Sequence, residues 1–430
     1  MAGEWTEERF GSLVRFVSDK SQAKDANIDT YISTENMLVD FGGITAASAL
    51  PLTGSVTKFK AGDTLFSNIR TYFKKVWLAR FDGCCSNDVL VLQPANEGAL
   101  APDYLHQVCR WEKFTELSIR TSKGAKMPRG DKDALADFKF RLPPIKEQRA
   151  IAHILGTLDD KIELNRRMSE TLEEMARALF KAWFVDFEPV RAKMEGRWRR
   201  GESLPGFPAH LYDLFPDRLV QSELGEIPEG WRVGTLADLA ALNPESWNDT
   251  TRPRRINYVD LSNVKWGRIE KVVAYDRTKA PSRAQRVLRP GDTIVGTVRP
   301  GNGSYAFISD DGLTGSTGFA VLRPRKRECV EFIYLAASSA DNIEALAHVA
   351  DGAAYPAVRP QVVAGSQVVL PPDEILSQFS KVAGPILIRV ARNDNESRTL
   401  AALRDALLPK LIRGEIRVKD AESFLKERGL

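Results

Sequence analysis

Two long stretches of the chain carry apolar side chains at alternating four-residue and three-residue spacings, which is the pattern of a coiled-coil seam. The first stretch extends from residue 151 to residue 183, and the same positions recur 228 residues later, so that Asn165 matches Asn393. The pattern predicts two long helices. Their pairing residues are expected to be Ile151, Leu158, Asn165, Leu172 and Leu179 in the first helix and Ile386, Asn393, Leu400 and Leu407 in the second.

Polar residues interrupt both seams at matching places. Asn165 and Ser169 in the first stretch recur as Asn393 and Ser397 in the second. A buried Asn in a seam costs stability and fixes the register of the pair, so its recurrence indicates two helices that pack against each other. The alternative is that each helix packs only on its own domain.

The second helical stretch departs from the pattern in two places. Gly384-Pro385 falls inside it, and a Pro inside a helix bends the helix or delays its start. We therefore expect the second helix to be bent or to begin only after Pro385. Arg404 occupies a seam position where the pattern calls for an apolar side chain.

Short β-type runs separated by Gly, Asn, Asp and Pro precede each helical stretch. The two β-type regions are copies of one another, since Ser86–Pro94 (SNDVLVLQP) matches Ser316–Pro324 (STGFAVLRP) and further matches follow in order at offsets near 226–230. Leu-Pro-Pro ends both regions, at 142–144 and 370–372, and marks where each helix begins. A period of this length indicates a duplicated domain.

The predicted fold is therefore α+β, with two similar, mixed, β-rich domains joined by two long helices that pack as a coiled coil. A chain of 430 residues accommodates two or three domains. The expected boundaries are 1–144 for the first β-rich domain, 145–188 for the central helix, 189–228 for a linker, 229–372 for the second β-rich domain, 373–413 for the C-terminal helix and 414–430 for a tail.

Composition and charge exclude some functions without selecting one. The 61 Lys and Arg exceed the 57 Asp and Glu by only four, so net charge alone does not predict nucleic-acid binding. No apolar run approaches the roughly 18–20 residues that cross a bilayer, and the N-terminal sequence lacks the layout of a signal peptide. We expect a cytoplasmic protein without membrane contacts. The four Cys and four His lack the clustered spacing of zinc ligands, so no metal site is predicted.

Three segments resemble the specificity (S) subunits of Type I restriction–modification enzymes. They are the junction Leu142–Gln148 (LPPIKEQ), the helical run Leu155–Phe184 (LGTLDDKIELNRRMSETLEEMARALFKAWF) and the closing segment Leu407–Ile416 (LLPKLIRGEI). The resemblance extends over nearly the whole chain and includes the duplication itself.

The resemblance implies that each β-rich domain is a target recognition domain that reads one half of a split, asymmetric DNA sequence. It implies that the two helices pack antiparallel and set the length of the unread spacer. The implied partners are double-stranded DNA, two methyltransferase (M) subunits docked along the helices, and restriction (R) subunits. S-adenosylmethionine, ATP and Mg²⁺ are expected on those partner subunits, and no cofactor is expected on this chain.

Sequence motifs for catalysis are missing. A methyltransferase acting on a flipped adenine needs an Asn/Asp-Pro-Pro loop followed by an aromatic residue, and the nearest segment, Asn243–Ser246 (NPES), lacks both the second Pro and the aromatic. No GxGxxG follows a predicted strand, and no GxxxxGK[ST] loop for ATP phosphates occurs. We therefore predict no catalytic residue and expect that this chain is not itself an enzyme.

Loops rich in basic and polar residues are the expected DNA contacts, because Lys and Arg bind phosphates while Arg, Lys, Asn, Gln and Ser read base edges. One pair of loops follows the strand near residue 65 and its copy, and another pair lies just before each long helix. The candidates are Asn68, Arg70, Lys74, Lys75, Lys123, Lys126 and Arg129 in the first domain and Arg283, Arg286, Arg299, Asn302, Ser304, Tyr355 and Arg359 in the second. The alternative for each of them is a solvated surface loop.

Two other functions remain open from the sequence. One is a self-sufficient restriction enzyme whose nuclease residues do not form a recognisable motif. The other is a duplicated protein–protein adaptor that has no role with DNA.

Overall fold

The computed structural model describes residues 5–248, 250–352 and 355–427. The chain divides into two compact units, Met1–Leu164 with Glu396–Leu430 and Asn165–Asn395. Each of the two long helices therefore contributes one part to each unit.

The first unit contains two four-stranded sheets and a two-stranded pair. The antiparallel first sheet has the order β2-β9-β6-β7, the second has the order β3-β5-β8-β4 with β4 parallel to β8, and β1 pairs with β10. The strands are β1 (Thr6–Arg9), β2 (Val14–Phe16), β3 (Lys20–Gln22), β4 (Tyr31–Ile32), β5 (Ser55–Phe59), β6 (Thr64–Ser67), β7 (Val76–Leu78), β8 (Gly83–Cys85), β9 (Val89–Pro94) and β10 (Lys139–Leu142). The helices are α1 (Phe10–Leu13), α2 (Pro102–Arg110), α3 (Glu112–Arg120), α4 (Lys132–Ala136) and the first part of the long α5 (Ile145–Phe184).

The second unit repeats this plan. Its first sheet has the order β14-β23-β20-β21 and its second β18-β15-β22-β19, while β11 pairs with β12, β13 with β24, and β16 with β17. The strands are β11 (Leu219–Ser222), β12 (Gly225–Pro228), β13 (Arg232–Thr235), β14 (Ala240–Leu242), β15 (Arg255–Val259), β16 (Val264–Lys265), β17 (Arg268–Ile269), β18 (Val273–Asp276), β19 (Ala284–Leu288), β20 (Thr293–Gly296), β21 (Tyr305–Phe307), β22 (Leu313–Ser316), β23 (Phe319–Pro324) and β24 (Gln367–Leu370). The helices are α6 (Glu188–Met194), α7 (Leu236–Leu239), α8 (Val330–Ala337), α9 (Ala340–His348), α10 (Pro360–Ala364) and α11 (Asp373–Ile412), which continues into the first unit, where α12 (Val418–Lys426) follows.

The predicted duplication is confirmed by the positions of equivalent elements. Strands β9 and β23 begin 230 residues apart, at Val89 and Phe319, and both end in Pro. The two long helices each contain 40 residues and begin at Ile145 and Asp373. In the second sheet of each unit, strands β5-β8-β4 of the first unit correspond to strands β19-β22-β15 of the second. The fourth strand lies at opposite ends, since β3 pairs with β5 whereas β18 pairs with β15. The α+β fold with two similar β-rich parts is therefore as predicted.

The long helices pack against each other in antiparallel orientation. In the second unit, Asn393 Nδ2 donates to Ser169 Oγ at 3.4 Å, and the rings of Phe379 and Trp183 lie 5.6 Å apart. Residue numbers therefore rise along α5 as they fall along α11. Most predicted pairing residues are buried, namely Ile151, Leu158, Asn165, Asn393, Leu400 and Leu407, whereas Leu172, Leu179 and Ile386 are half-buried. The predicted packing of the two long helices against each other is confirmed, and the polar contact between them joins Asn393 to Ser169.

The unusual residues of α11 have specific explanations. The helix begins at Asp373, so the expectation that it starts only after Pro385 is wrong. Pro385 faces solvent, and Gly384 packs closely against α8, because a Cβ there would lie 3.0 Å from Glu331 Oε1. In the first unit, the buried Arg404 is paired with Asp159 on α5, which explains a cation in the seam.

The segment predicted as a linker folds into the core of the second unit. Trp198 is buried against Phe207 and Phe215, and Trp183 at the end of α5 contacts the same two rings. Within the part of the chain that the structure describes, no helix combines the length and apolarity needed to cross a membrane.

Candidate nucleic-acid interface

Three loops of the first unit are joined by backbone hydrogen bonds into one surface, which we call the first platform. It consists of loop A (residues 39–44), loop B (68–75) and loop C (123–130). Loops B and C pair where Arg70 N donates to Pro128 O at 2.8 Å, and loops A and B pair where Phe41 N donates to Lys74 O at 3.0 Å. The two basic segments predicted separately from the sequence therefore meet in the fold.

The second unit forms an equivalent second platform. Its loop A is 264–269, its loop B is 297–304 and its loop C is 351–358, of which 353 and 354 lie outside the described residues. Arg299 N donates to Pro356 O at 2.7 Å, and Trp266 N donates to Gly303 O at 2.6 Å. These hydrogen bonds repeat those of Arg70 and Phe41, so both platforms share one backbone design.

Loop B is held in the same unusual backbone conformation in both units. Arg70 and Arg299 have φ of 49° and 48°, in the left-handed region, and each precedes a single 3₁₀ turn. A non-Gly residue in this region costs on the order of 1–2 kcal/mol. The surrounding loops supply the hydrogen bonds that retain this conformation, and they turn the tip of loop B toward solvent.

The cations of the first loop C are partly neutralised. Lys123 Nζ lies 2.5 Å from Asp131 Oδ2, and Arg129 Nη2 lies 2.6 Å from Asp88 Oδ1. The hydrogen bond between Lys123 and Asp131 raises the pKa of Lys123 and lowers the pKa of Asp131. Both cations are largely exposed, at 81% for Lys123 and 60% for Arg129, so each ion pair contributes little to stability.

The remaining predicted cations of the first platform differ in exposure. Arg70 and Lys126 are exposed, and Lys126 makes no ion pair with any described residue. Lys74 is half-buried, and Lys75 Nζ donates to Thr34 O at 2.6 Å. Arg70 and Lys126 are therefore the side chains of this set best placed to meet a phosphate.

Two predicted base readers are buried and shape the loops instead. Asn68 lies beneath loop C, where a Cβ on Gly130 would be only 2.6 Å from Asn68 Oδ1, which explains the Gly at that position. Ser304 is also buried, and its carbonyl accepts from Gly296 N at 2.7 Å. Sequence alone did not separate these residues from exposed neighbours.

The second platform combines cations with an aromatic ring. The Arg299 guanidinium lies 4.7 Å from the centre of the Tyr355 ring, a cation–π contact between loops B and C. Asn302 is exposed at the tip of loop B, and Arg359 is exposed just before α10. These four predicted residues are brought to one surface.

Arg283 and Arg286 lie outside the platform loops, at the edge strand β19. Arg283 pairs with Asp260 at 3.3 Å, and Arg286 Nη1 donates to Ser246 Oγ at 3.1 Å. Burial lowers the pKa of the half-buried Arg286. The structure therefore engages both side chains in contacts within the protein.

Sequence reasoning missed the exposed apolar residues of the platforms. They are Tyr72, Phe73, Met127 and Trp266, which are 49%, 37%, 51% and 58% exposed. A signal for Trp266 was present, because Val39–Ile44 (VDFGGI) matches Val264–Ile269 (VKWGRI) at an offset of 225. That match also identifies loop A, which no charge pattern marks.

Two segments noted for their chemistry in the sequence have structural contacts, and metal-ligand clusters are not seen in the part of the chain that the structure describes. No cluster of three or more His, Cys, Asp or Glu side chains there is arranged to hold a metal ion. Asn243, the start of the nearest methyltransferase-like segment, has a structural contact, since its Oδ1 accepts from Val321 N at 2.9 Å. Cys85 is buried in β8, and burial raises its pKa to about 12.

Comparison with known proteins gives consistent matches. The family described as the Type I restriction modification DNA specificity domain matches residues 7–174. The Type I restriction enzyme HindI specificity subunit of Haemophilus influenzae is 26% identical, over 96% of this chain and 100% of its own length. The MjaIX specificity subunit of Methanocaldococcus jannaschii is 24% identical, over 74% of this chain and 70% of its own. The crystal structure of a Type I restriction–modification S subunit from M. genitalium has the same fold, with a TM-score of 0.56 at 14% identity over 95% of this chain and 96% of that one.

Proposed function

Because this chain belongs to the specificity subunits of Type I restriction–modification systems, we propose that it reads a bipartite, asymmetric DNA sequence, one half with each platform. The family consists of DNA-recognition components rather than catalysts, and the prediction that this chain is not itself an enzyme is confirmed.

The observation that carries the proposal is the presence of two platforms with one backbone design and different side chains. At equivalent positions of loop C the first platform has Met127 where the second has Tyr355. In loop B the first has Lys74 where the second has Gly303. Sequence is read by side chains at base edges while phosphate contacts fix position, so two such surfaces suit two different half-sites.

A stripe of side chains beside the seam of α5 supports docking of M subunits. Exposed or half-exposed side chains recur there at spacings of four and three, one residue before each seam position and therefore about 100° around the helix from it. The series is Leu164, Met168, Thr171, Met175, Ala178, Ala182 and Val185. Leu164 and Met175 are about half exposed, and an apolar helical stripe of this kind is typical of a surface that another protein covers.

The wider assembly extends the same proposal. Two M subunits dock on the helices and carry S-adenosylmethionine and the adenine methylation site, and R subunits join them with ATP and Mg²⁺. This chain supplies sequence recognition to that complex and binds no cofactor of its own.

Methylation mapping tests the function directly. The chain co-expressed with its M subunit is expected to place N6-methyladenine in one bipartite sequence across a genome, whereas the purified chain with S-adenosylmethionine methylates nothing. Methylation or Mg²⁺-dependent cleavage by the isolated chain contradicts the proposal, as does an M complex that methylates without sequence preference.

The long helices are proposed to set the spacer. Adding one heptad between Ser169 and Ala176 in α5, and another between Ile386 and Asn393 in α11, lengthens the pair by about 10 Å, or about 3 base pairs. The M complex of this variant is expected to prefer a longer spacer. An unchanged spacer preference in the methylation map would show that the length of the helices does not set the spacer.

A further inference from the structure

We propose that the exposed aromatic side chains of the two platforms insert at base steps of the target DNA and stack against the bases. Tyr72 and Phe73 act in the first platform, and Trp266 and Tyr355 act in the second. The inference rests on the proposed function, because it assigns a recognition role to particular side chains of surfaces already taken to face DNA.

The first argument is where the exposed aromatic residues lie. Among the described residues, the large aromatic side chains that are more than a third exposed are Tyr72, Phe73, Trp266 and Tyr355. All four belong to platform loops, two in each unit, although the platforms are a small part of the chain. Exposed aromatic surface is costly to leave in water and is concentrated where a partner covers it.

The second argument is the rigid support beneath these rings. Trp266 has a left-handed backbone, with φ of 47°, and its ring rests on Gly303, where a Cβ would lie 2.6 Å from Trp266 Cδ2. The Tyr305 ring meets Trp266 edge-on, with centroids 6.1 Å apart. The Trp266 ring is therefore held outward by its own loop and by the absence of a side chain beneath it.

The first platform presents its rings in a comparable way. The rings of Tyr72 and Phe73 lie 4.6 Å apart on the 3₁₀ turn of loop B. Asp40 N of loop A donates to Phe73 O at 2.9 Å, which fixes the backbone from which the Phe73 ring extends. Loop C adds Met127, half exposed, at the position equivalent to Tyr355.

Stacking explains these residues better than the other kinds of DNA contact. Phe73 has no hydrogen-bonding group, so it makes no hydrogen bond to a base edge, and none of the four side chains carries the positive charge that binds phosphate. Apolar wedges inserted between base pairs and aromatic rings stacked on bases are established ways for proteins to hold DNA. The neighbouring cations Arg70, Arg299 and Lys126 are suited to the phosphates on either side.

The test uses the complex of the full chain with its M subunit and duplexes carrying its mapped target. In these duplexes 2-aminopurine replaces single adenines, because its fluorescence rises when it unstacks. We expect a rise at a step in the half-site of the second platform. Trp266→Ala is expected to abolish that rise and to weaken target binding about tenfold, whereas Trp266→Phe retains most of both.

A matched control and the salt dependence identify the kind of contact. Leu224→Ala removes an exposed apolar side chain from the turn between β11 and β12 of the same unit and is expected to change neither signal. The slope of log affinity against log salt concentration is expected to be the same in Trp266→Ala as in the parent, because stacking releases no counterions.

Three results would overturn the inference. The Trp266→Ala complex could bind with parental affinity and retain the fluorescence rise. Its salt slope could fall by the amount expected for one phosphate contact. Alternatively, native mass spectrometry could show that the variant no longer binds the M subunit. A parental complex with no preference for any bipartite sequence would instead refute the proposed function, and this is seen before any variant is made.

Discussion

Removing Asp159 is expected to destabilise the first unit more than any surface substitution. Its carboxylate lies between two guanidinium groups, accepting from Arg110 Nη1 and, at 2.9 Å, from Arg404 Nη1. Arg110 is 3% exposed and Arg404 is 5% exposed. Burial alone would raise the pKa of Asp159, but the two arginines outweigh it and hold that pKa below its usual value.

The magnitude follows from the charges that the substitution leaves behind. Asp159→Leu leaves two buried guanidinium groups facing each other, with only the exposed Asp405 still paired to Arg404. Breaking a buried ion pair by removing one partner costs about 3–5 kcal/mol. That loss is a large fraction of the 5–15 kcal/mol typical of a folded domain. The introduced Leu is not expected to cause the loss of stability itself, because the equivalent residue in the second unit is the buried Leu387.

The control replaces the whole cluster. Arg110→Met, Asp159→Leu and Arg404→Met together approximately conserve volume and leave no unpaired buried charge, because Asp405 is exposed. The free energy of unfolding is therefore expected to return to within about 1–2 kcal/mol of the parent. Because the chain has two units, hydrogen exchange of α2 reports the loss locally and exchange of α8 in the second unit serves as the internal reference. The reasoning is refuted if Asp159→Leu costs less than about 1 kcal/mol, or if the triple variant is no more stable than the single one.

Three further predictions follow. Burial and the nearby Arg110 lower the pKa of His106 to about 3. Between about pH 6.5 and pH 3 this side chain therefore gains a proton only in the unfolded state, and the free energy of unfolding should fall by about 1.4 kcal/mol per pH unit from pH 6 to 4. Urea titrations should show that this pH dependence of the free energy of unfolding is lost in His106→Met and kept in the control His153→Gln. The same pH dependence in both variants would contradict the prediction. Lys126→Ala should reduce the salt slope of DNA binding by about 0.9, measured by fluorescence anisotropy on any duplex, and an effect confined to one sequence would instead make Lys126 a base reader. Gly303→Ala introduces a Cβ at φ of 67° against the Trp266 ring and should weaken target binding while lowering the melting temperature by only a few degrees, the effect of about 1–2 kcal/mol of backbone strain. Parental binding would show that the ring position is unimportant.

The sequence predicted the helices and the duplication because their signals are periodic and repeated. Seam positions such as Leu158 and Leu400 depend only on local spacing, and the second copy confirms each of them 228 residues away from the first, as with Asn165 and Asn393. Strand β9 was visible as a continuous apolar run. Such features are determined by local sequence and do not depend on contacts with distant segments.

The platforms were only partly predictable because they are made by contacts between distant segments. Loops B and C of the first unit pair through Ile69 and Arg129, which are 60 residues apart in the chain. Whether a polar residue faces solvent depends on that pairing, so the buried Asn68 and the exposed Arg70 look equivalent in the sequence. Likewise, Trp198 is buried in a cluster that also contains Trp183 at the end of α5, and local composition does not reveal that cluster.

The buried charge cluster and the first platform are physically connected through Arg110. Its guanidinium stacks on the Phe41 ring at 4.9 Å while it donates to Asp159, and Phe41 N is the donor that joins loop A to loop B. In the second unit the residue equivalent to Phe41 is Trp266, which is 58% exposed. One backbone design thus carries a ring covered by Arg110 in one copy and an outward ring in the other.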